Sequence, residues 1–425
     1  INSDILIKTK AIIKAALVYG IKRDTNSTTT TWERIEDSVG LEANANLPES
    51  TNIKNDFDNI YPWSDIKSYN YNASTKKVTA WYGDSNFKFD GSNGEVLTYI
   101  PEFYYKREVV NGVEYQYISK YGQEGYSYSE PFSVGRYKMS GGYDAYNNSG
   151  GETSDGAAET VFTGRSKNGV YPSASATLPT FRSSASKLGT EFSIMDYHWY
   201  LLQMLYLVEY ADYDSQTKLG LGVTENTAGA IIMGGTDTLG MQSGCLVNDG
   251  ENSMIYRGIE DIYGNTYDFL DSINIKNGQA YINYDFTTYK SDTFDGNYKK
   301  LGYINTLSIG YITKLGYDSS NQLIGLPTAV NGNTEANYNT SLKDRYYYNS
   351  GDKVLAVGGS FDRKEEAGMW YSEVSFRSDS DYDDHGSRLI RHHAWRSVIG
   401  KINIITKNTR ITLHFLCKVI KKLKK

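Results

Sequence analysis

The chain has 425 residues, 39% of them hydrophobic, and a formal net charge of -6 at pH 7. This length allows two or three domains with large cores, whereas two cysteines are too few for a disulfide framework and no run of 18 apolar residues exists for a membrane-spanning helix. With 38 tyrosines, 40 glycines and 7 prolines, the composition excludes a disordered chain and indicates short strands joined by turns of Gly, Asn and Asp.

The N-terminal third is predicted to be a stalk attachment followed by strands. Residues 1–20 have apolar side chains at helical spacing, and they lack an initiator Met and a signal peptide, which leaves open that the chain begins inside a longer one. Residues 21–140 are predicted to be β-rich, with Asn111-Gly112 as the strongest hairpin signal. Strands are expected at 18–21, 96–100, 103–110, 113–119 and 132–139, with a further hairpin between 76–82 and 87–89.

Two helices are predicted after a long polar loop at 141–169. The first covers 179–188, with a proline at its start and a glycine just beyond its end. The second begins at the capping-box-like residues 193–196 and places apolar side chains on one face as far as Val208. Residues 220–353 are rich in Gly, Asn, Tyr and Asp, which predicts ordered loops around a small irregular sheet.

Sequence patterns of catalysis and metal binding are mostly missing. There is no phosphate-binding GxxxxGK[ST] or GxGxxG pattern and no HExxH, and His392 and His393 would lie on opposite faces of a strand. The acidic segment SDSDYDDH at 378–385 resembles a calcium loop, but it lacks the required Gly and the final Glu. A solvated acidic loop is the favoured interpretation, with calcium as the alternative. We therefore predict no metal, no cofactor and no enzymatic activity.

Residues 391–425 are predicted to form a basic tail on an acidic body. Residues 385–425 hold 11 Lys or Arg and no acid, whereas the first 384 residues hold 33 basic and 50 acidic side chains. Such a tail can bind nucleic acid or an anionic membrane, or it can dock on the acidic body, and the sequence leaves these alternatives open.

Two stretches are predicted to pack together as a buried joint. Residues 256–271 place aromatic and apolar side chains around the Gly264-Asn265 turn, whose residues tolerate positive φ. Residues 354–389 combine alternating apolar side chains with glycines that permit close backbone approach. Most tyrosines of the chain are expected to pack in the core, and the remainder, in loops beside Ser, Gly and Asn, have the composition of a binding surface.

These stretches carry a resemblance to known families. YRGIEDIYGNTYDFLD is similar to the segment of formylglycine-generating enzymes with a GNVWEW-like motif, and VGGSF, AGMWY and GSRL resemble the end of that fold. With FDNIYPWSDI, IPEFYYK, FSVGRYKMS and the segment that starts MDYHWYLLQ, the order of motifs resembles phage and prophage tail proteins with a C-type-lectin-like end domain. These include the variable proteins of diversity-generating retroelements. The resemblance covers about residues 18–390.

The resemblance implies an α+β chain whose residues 141–390 form a C-type-lectin-like ligand-binding domain. Small irregular antiparallel sheets, two helices and long ordered loops are expected there, preceded by the β-rich N-terminal region. It implies a tail or tail-fibre protein of the virion that binds a bacterial surface protein or glycan and contacts other tail proteins. A homotrimer is expected, because several copies strengthen adhesion, and no nucleic-acid partner is expected.

The resemblance also assigns a display surface and its scaffold. The scaffold would include Gly358, Gly359, Trp370 and Arg388. Each residue from 375 to 385 could arise from an Asn codon by changes to its adenines, as retroelement mutagenesis makes, whereas Glu373 could not. The display surface would comprise Ser360, Phe361, Arg363, Tyr371, Glu373, Ser375, Arg377, Asp381, Tyr382 and Asp383.

Besides a cellular adhesin, which the sequence does not distinguish from a virion protein, two other functions stay open at this point. One is a structural virion protein of the tail or capsid surface that makes no receptor contact. The other is an enzyme on the same fold, but formylglycine-generating enzymes use cysteines near their C-terminal end, and no cysteine lies between Cys245 and Cys417. The EPN, QPD and WND signatures of calcium-dependent lectins are absent from the sequence as well, so a calcium-bridged sugar is not implied.

Overall fold

The computed structural model describes residues 17–141 and 164–393, which form a mixed α+β structure of mostly small antiparallel sheets. The predicted helix at the N-terminus, most of the polar loop at 141–169 and nearly all of the basic tail lie outside the described residues. Within them, four α-helices are present: α1 (Leu178–Ser186), α2 (His198–Tyr210), α3 (Ser215–Leu219) and α4 (Glu335–Asn339). Short 3₁₀ helices lie at Asp56–Asn59, Trp63–Asp65, Asp237–Leu239, Phe286–Thr288 and Lys364–Glu366.

The described residues contain 23 strands, numbered here in chain order. The first nine are β1 (Val18–Asp24), β2 (Glu33–Glu36), β3 (Lys67–Asn72), β4 (Lys77–Trp81), β5 (Glu95–Ile100), β6 (Phe103–Val110), β7 (Val113–Ser119), β8 (Ser127–Ser129) and β9 (Phe132–Gly135). The others are β10 (Phe192–Ile194), β11 (Gly244–Cys245), β12 (Met254–Tyr256), β13 (Ile259–Glu260), β14 (Tyr267–Lys276), β15 (Gln279–Ile282), β16 (Lys299–Lys300), β17 (Gly310–Leu315), β18 (Pro327–Val330), β19 (Arg345–Tyr348), β20 (Asp352–Gly358), β21 (Gly368–Val374), β22 (His385–Gly386) and β23 (Leu389–His392).

The strands form four sheets. Their orders are β2-β1-β7-β6-β8, β10-β23-β9-β5-β3-β4, β11-β12-β13 and β16-β15-β14-β20-β21-β19-β17-β18, with β22 beside β14. Only β14 with β22 and β19 with β21 pair in parallel among the described strands. In the second sheet β23 lies between β9 and β10, so strands from both sides of residue 140 share one ladder. The domain boundary at 140 stays a prediction.

The two hairpin predictions have different outcomes. β6 and β7 pair from Val110↔Val113 onward, and Asn111 and Gly112 take φ values of 52° and 78°, so the first prediction is confirmed. The second is wrong, because β4 pairs with β3 and residues 87–89 form no strand. The side chain of Asn70 instead holds Lys88, through bonds of 2.7 and 2.9 Å to its carbonyl and amide groups.

Helix α2 lies at the centre of the main hydrophobic core. All 13 of its residues are buried, so it is covered around its whole circumference rather than on one face as predicted. Each large side chain buried in this way stabilises the fold by roughly 1.5–3 kcal/mol. At its C-terminal end Arg34 donates to the carbonyl oxygens of Val208, at 2.9 Å, and Glu209. These carbonyls have no partner inside the helix, so a cation there both caps it and complements its dipole.

The predicted start of α2 at 193–196 is wrong. Ser193 and Ile194 belong to β10, which pairs with β23, and Ser193 bonds to Ile194 and His392 instead of capping the helix. The prediction of two helices is also incomplete, because it omits α3 and α4. These helices have only five residues each, too few to show an apolar periodicity. The first predicted helix corresponds to α1, whose cap is Thr177. None of the described helices is long and apolar enough to cross a membrane.

The buried joint is confirmed. Every residue from 256 to 271 is buried, and β14 pairs antiparallel with β20, which pairs with β21. Gly264 has a φ of 75°, and a Cβ there would lie 2.6 Å from the carbonyl oxygen of Val223, so the turn requires glycine. The fully buried guanidinium of Arg388 donates to four backbone carbonyls, those of Gly135, Arg136, Glu260 and Asp261. These bonds connect the joint to β9.

Candidate functional site

Two loops near the C-terminal end carry the predicted display residues. The first loop (359–367) connects β20 to β21, and the second loop (375–384) connects β21 to β22. Both begin or end on strands of the buried joint, so their ends are held by backbone ladders. Gly358 ends β20 and Gly359 starts the first loop, with φ values of 87° and 79°. A Cβ on Gly359 would lie 2.8 Å from that of Ala367. The first loop is therefore closed tightly at its base.

The ten predicted residues fall into three groups by exposure. Ser360, Tyr371 and Glu373 are buried, with 0%, 0% and 5% of their surface exposed, so assigning them to the display surface needs correction. Tyr371 and Glu373 lie beneath the exposed residues, because β21 is covered on both faces. The half-buried members are Phe361, Arg363 and Ser375, and the exposed ones are Arg377, Asp381, Tyr382 and Asp383.

A hydrogen-bonded chain runs beneath the loops. The Tyr267 and Tyr371 hydroxyls lie 3.0 Å apart, Tyr371 donates to Glu373 Oε2 at 2.5 Å, and Ser375 donates to the other oxygen. Arg363 Nε donates to the Tyr267 hydroxyl. Burial raises the pKa of Glu373, and the bonds from Ser375 and Tyr371 and the charge of Arg363 only partly oppose it. Connected buried polar groups of this kind hold one arrangement.

Arg363 joins this chain to the surface. Its guanidinium carbon lies 5.6 Å from the ring centre of Tyr267 and 5.9 Å from that of Tyr347, within cation–π range. Its Nη2 is 3.9 Å from Asp384 Oδ2. Burial alone would raise the pKa of Asp384, but His385 and Arg363 together hold it below its ordinary value. His385 Nδ1 lies 2.7 Å from Asp384 Oδ1 but is not aligned for a hydrogen bond.

An aromatic cluster fills the space under the second loop. The ring of Phe376 lies 3.9 Å from that of His385 and 5.4 Å from that of Tyr382, at T-shaped and tilted angles. His385 is buried, Phe376 is half-buried and Tyr382 is 55% exposed. The backbone carbonyl of Tyr382 accepts from the Ser175 amide at 3.0 Å. An exposed tyrosine thus stands on a fixed aromatic support.

The solvent side of both loops is acidic. Arg377 forms a bidentate pair with Asp379 at 2.9 Å, and both side chains are exposed. The exposed acids of the two loops are Asp362, Glu365, Asp379, Asp381 and Asp383, against the exposed bases Lys364 and Arg377. Aromatic rings beside carboxylates suit ligands that present hydroxyl groups or positive charge.

Sequence reasoning missed four members of this site: Tyr267, Tyr347, Phe376 and His385. Tyr347 lies in a run of three tyrosines, of which Tyr346 is buried and Tyr347 half-buried. The parallel pairing of β19 with β21 brings Tyr347 opposite Glu373. Parallel neighbours come from distant parts of the sequence, so no local pattern could have indicated this contact.

Neither a reactive thiol nor a metal cluster lies in the loops. Cys245, the cysteine within the described residues, is buried, and burial raises the pKa of its thiol to about 12, the opposite of an activated nucleophile. Among the described residues, one group of three His, Cys, Asp or Glu side chains has ligand atoms close enough for a metal ion: Asp196, His198 and His392. The acids of 378–385, for which calcium was the alternative interpretation, are not in this group.

Comparison with known proteins found no matching family and no similar curated protein. The two loops combine a fixed buried support with exposed aromatic and charged side chains above it.

Proposed function

We propose that this chain is a tail or tail-fibre protein of a phage, which binds the bacterial surface through the two loops of a C-type-lectin-like domain and catalyses no reaction. The support for this proposal is the order of resembling motifs over residues 18–390 and the position of the loops on the buried joint. Its partners are a bacterial surface protein or glycan and other tail proteins. It acts from the virion.

The observation that carries the proposal is the division of the loops into support and display. Tyr371 and Glu373 are immobilised below, while Tyr382 and Arg377 stand in solvent above. Tyrosine gives a large contact area at a small cost in conformational entropy, and a rigid support lowers the ordering cost of binding further. Several copies, in the trimer that we propose, would raise a weak single contact to firm adhesion.

The test compares binding of purified protein to a panel of intact Gram-positive and Gram-negative bacteria. The variant combines Phe361→Ala, Arg377→Ala and Tyr382→Ala. The matched control combines Tyr121→Ala and Tyr128→Ala, since Tyr121 is 56% exposed and thus comparable with Tyr382, but lies in the N-terminal region. Thermal melting confirms that all three proteins are equally folded.

We expect binding by the wild type and the control, and at least a tenfold loss by the loop variant. Equal binding by wild type and loop variant would place the receptor site elsewhere. Absence of binding by the wild type on every host would favour a structural role in the virion. Repeating the assay at 50 and 500 mM NaCl separates two ligand classes, because a basic protein surface should bind less at high salt and a neutral glycan should not.

A further inference from the structure

Three side chains from two distant parts of the sequence meet at the start of α2. Asp196 and His198 lie at its N-terminal end, and His392 is the last residue of β23. Each offers one ligand atom, and these atoms all lie within 4.8 Å of one another. Asp196 and His198 are buried, and the His392 side chain is 11% exposed. The set consists of two imidazoles and one carboxylate, which are common ligands of zinc and of other divalent transition metals.

Backbone pairing fixes where these side chains meet. β10 and β23 are antiparallel, with Phe192 opposite Arg391 and Ile194 opposite Leu389. The His392 amide therefore donates to the Glu191 carbonyl at 2.8 Å, and its imidazole reaches past Ser193 to Asp196. The backbone amide of His198 donates to Asp196 Oδ1 at 3.0 Å and holds the carboxylate in the first turn. The site thus takes His198 from α2, His392 from β23 and Asp196 from the short connection between β10 and α2.

The two oxygens of Asp196 face different imidazoles. Oδ1 lies 2.6 Å from His198 Nδ1, which is a hydrogen-bond distance. Oδ2 lies 3.6 Å from His392 Nε2, which is too long for a hydrogen bond. Two ligands of one tetrahedral ion with bonds of about 2.1 Å are about 3.4 Å apart. The Asp196–His392 separation therefore fits a shared ion, and a small shift of His198 would complete the set.

The surroundings orient all three side chains. Tyr289 donates to Asp196 Oδ2 at 2.9 Å. Ser193 Oγ lies 2.8 Å from His392 Nε2, the nitrogen offered to the ion, so this contact would give way to the ion. Phe286 stacks on His392 with ring centres 3.6 Å apart and planes at 4°. The His198 ring lies between Tyr197, at 4.2 Å, and Phe132, at 4.3 Å. Such outer contacts pre-orient metal ligands in known sites.

We propose that Asp196, His198 and His392 bind one divalent transition-metal ion of the Zn²⁺ class. The ion would take the place of the hydrogen between Asp196 and His198, with His198 Nδ1 bound to the ion and the ring proton on Nε2. Three protein ligands leave one tetrahedral position for water. By linking β23 to the start of α2, the ion would fasten the last described strand to the core.

The test uses the full chain without a histidine tag, stripped with EDTA and titrated with Zn²⁺ by calorimetry and with Co²⁺ by visible absorption. We expect one ion per chain, a rise in melting temperature with Zn²⁺, and tetrahedral Co²⁺ bands. His392→Ala should weaken binding at least tenfold, and Asp196→Asn should do so without changing side-chain size. Tyr289→Phe, which removes an outer contact only, should weaken binding by about 10–100-fold or less.

The controls are His393→Ala, which removes the neighbouring imidazole bonded to Ser133, and the pair His414→Ala, Cys417→Ser. Both should bind metal like the wild type. If the folded wild type binds no stoichiometric ion, or if His392→Ala binds as tightly as the wild type, the three side chains form a hydrogen-bonded network only. Loss of binding in the His414, Cys417 variant alone would likewise overturn the proposal. Because His392 is partly exposed, its variant keeps the test valid even where Asp196→Asn does not fold.

Discussion

Replacing Arg257 with Met is expected to be among the most destabilising single changes in the core. Arg257 Nε and Nη2 both donate to the carboxylate of Glu209 at 2.8 Å, and the Glu209 side chain is fully buried. The same carboxylate accepts from Tyr256, at 2.9 Å, and from Asn55, at 2.7 Å. This network joins α2 to β12 and to the N-terminal region.

The size of the effect follows from the charge left behind. Removing one partner of a buried pair costs about 3–5 kcal/mol, because the other charge remains in a medium that solvates it poorly. Tyr256 and Asn55 would still donate to Glu209, so we expect the lower end, about 3 kcal/mol. Adding Glu209→Gln removes the unpaired charge and should restore more than half of that loss, so the two changes should be strongly non-additive.

Chemical unfolding of the four proteins of this cycle at pH 7 measures the effect. Arg377→Met is the matched control, because it breaks an equally short Arg–Asp pair that is fully exposed, and its unfolding midpoint should equal that of the wild type. Additive losses in the cycle would refute the reasoning, since they would show that Arg257 acts through packing and not through its charge.

Two further predictions concern the buried joint. Gly359→Ala combines a positive φ with a contact of 2.8 Å to Ala367, so it should lower the free energy of unfolding by about 1–3 kcal/mol. The loss should exceed that of Gly351→Ala, where nothing lies within 4 Å of the added carbon. The reverse order would contradict this prediction. Burial raises the pKa of Asp344 well above 3.8, with Asp214 adding to the effect and the Trp370 and Tyr371 amides opposing it. The folded state therefore binds this proton more tightly, and the associated stability is lost as pH rises above about 4. The stability of Asp344→Asn relative to the wild type should accordingly increase from pH 4.5 to pH 8 in urea unfolding, and a constant difference would count against it.

The parts of the fold that were predicted correctly are those set by local sequence. β6, β7 and the Asn111-Gly112 turn were found from alternation and turn residues alone, with the observed bounds. α1 was found from its terminal residues. The start of α2 was not predicted correctly, because β10 depends on pairing with β23, almost 200 residues later. A capping signal in 193–196 is overridden there by a tertiary contact.

Only part of the candidate site was predicted correctly, and the reason is related. Both faces of β21 are buried, so alternation along that strand gives no sign of which side chains face solvent. Tyr371 and Glu373 were therefore grouped with truly exposed residues such as Tyr382. The trio of Asp196, His198 and His392 has no spacing that sequence could reveal, since its ligands come from two elements far apart in the chain.

The division between support and display explains how such a site could vary without loss of the fold. Substitutions at exposed positions away from special contacts usually change stability by no more than about 0.5 kcal/mol. Within 375–385 this describes Asp381, Tyr382 and Asp383, but not His385, which is buried against four aromatic rings. Glu373, whose codon cannot arise from the adenine changes considered above, is also the residue that the buried chain of hydrogen bonds requires. Diversification of the loops would thus change the ligand-facing surface while the joint beneath keeps its one arrangement.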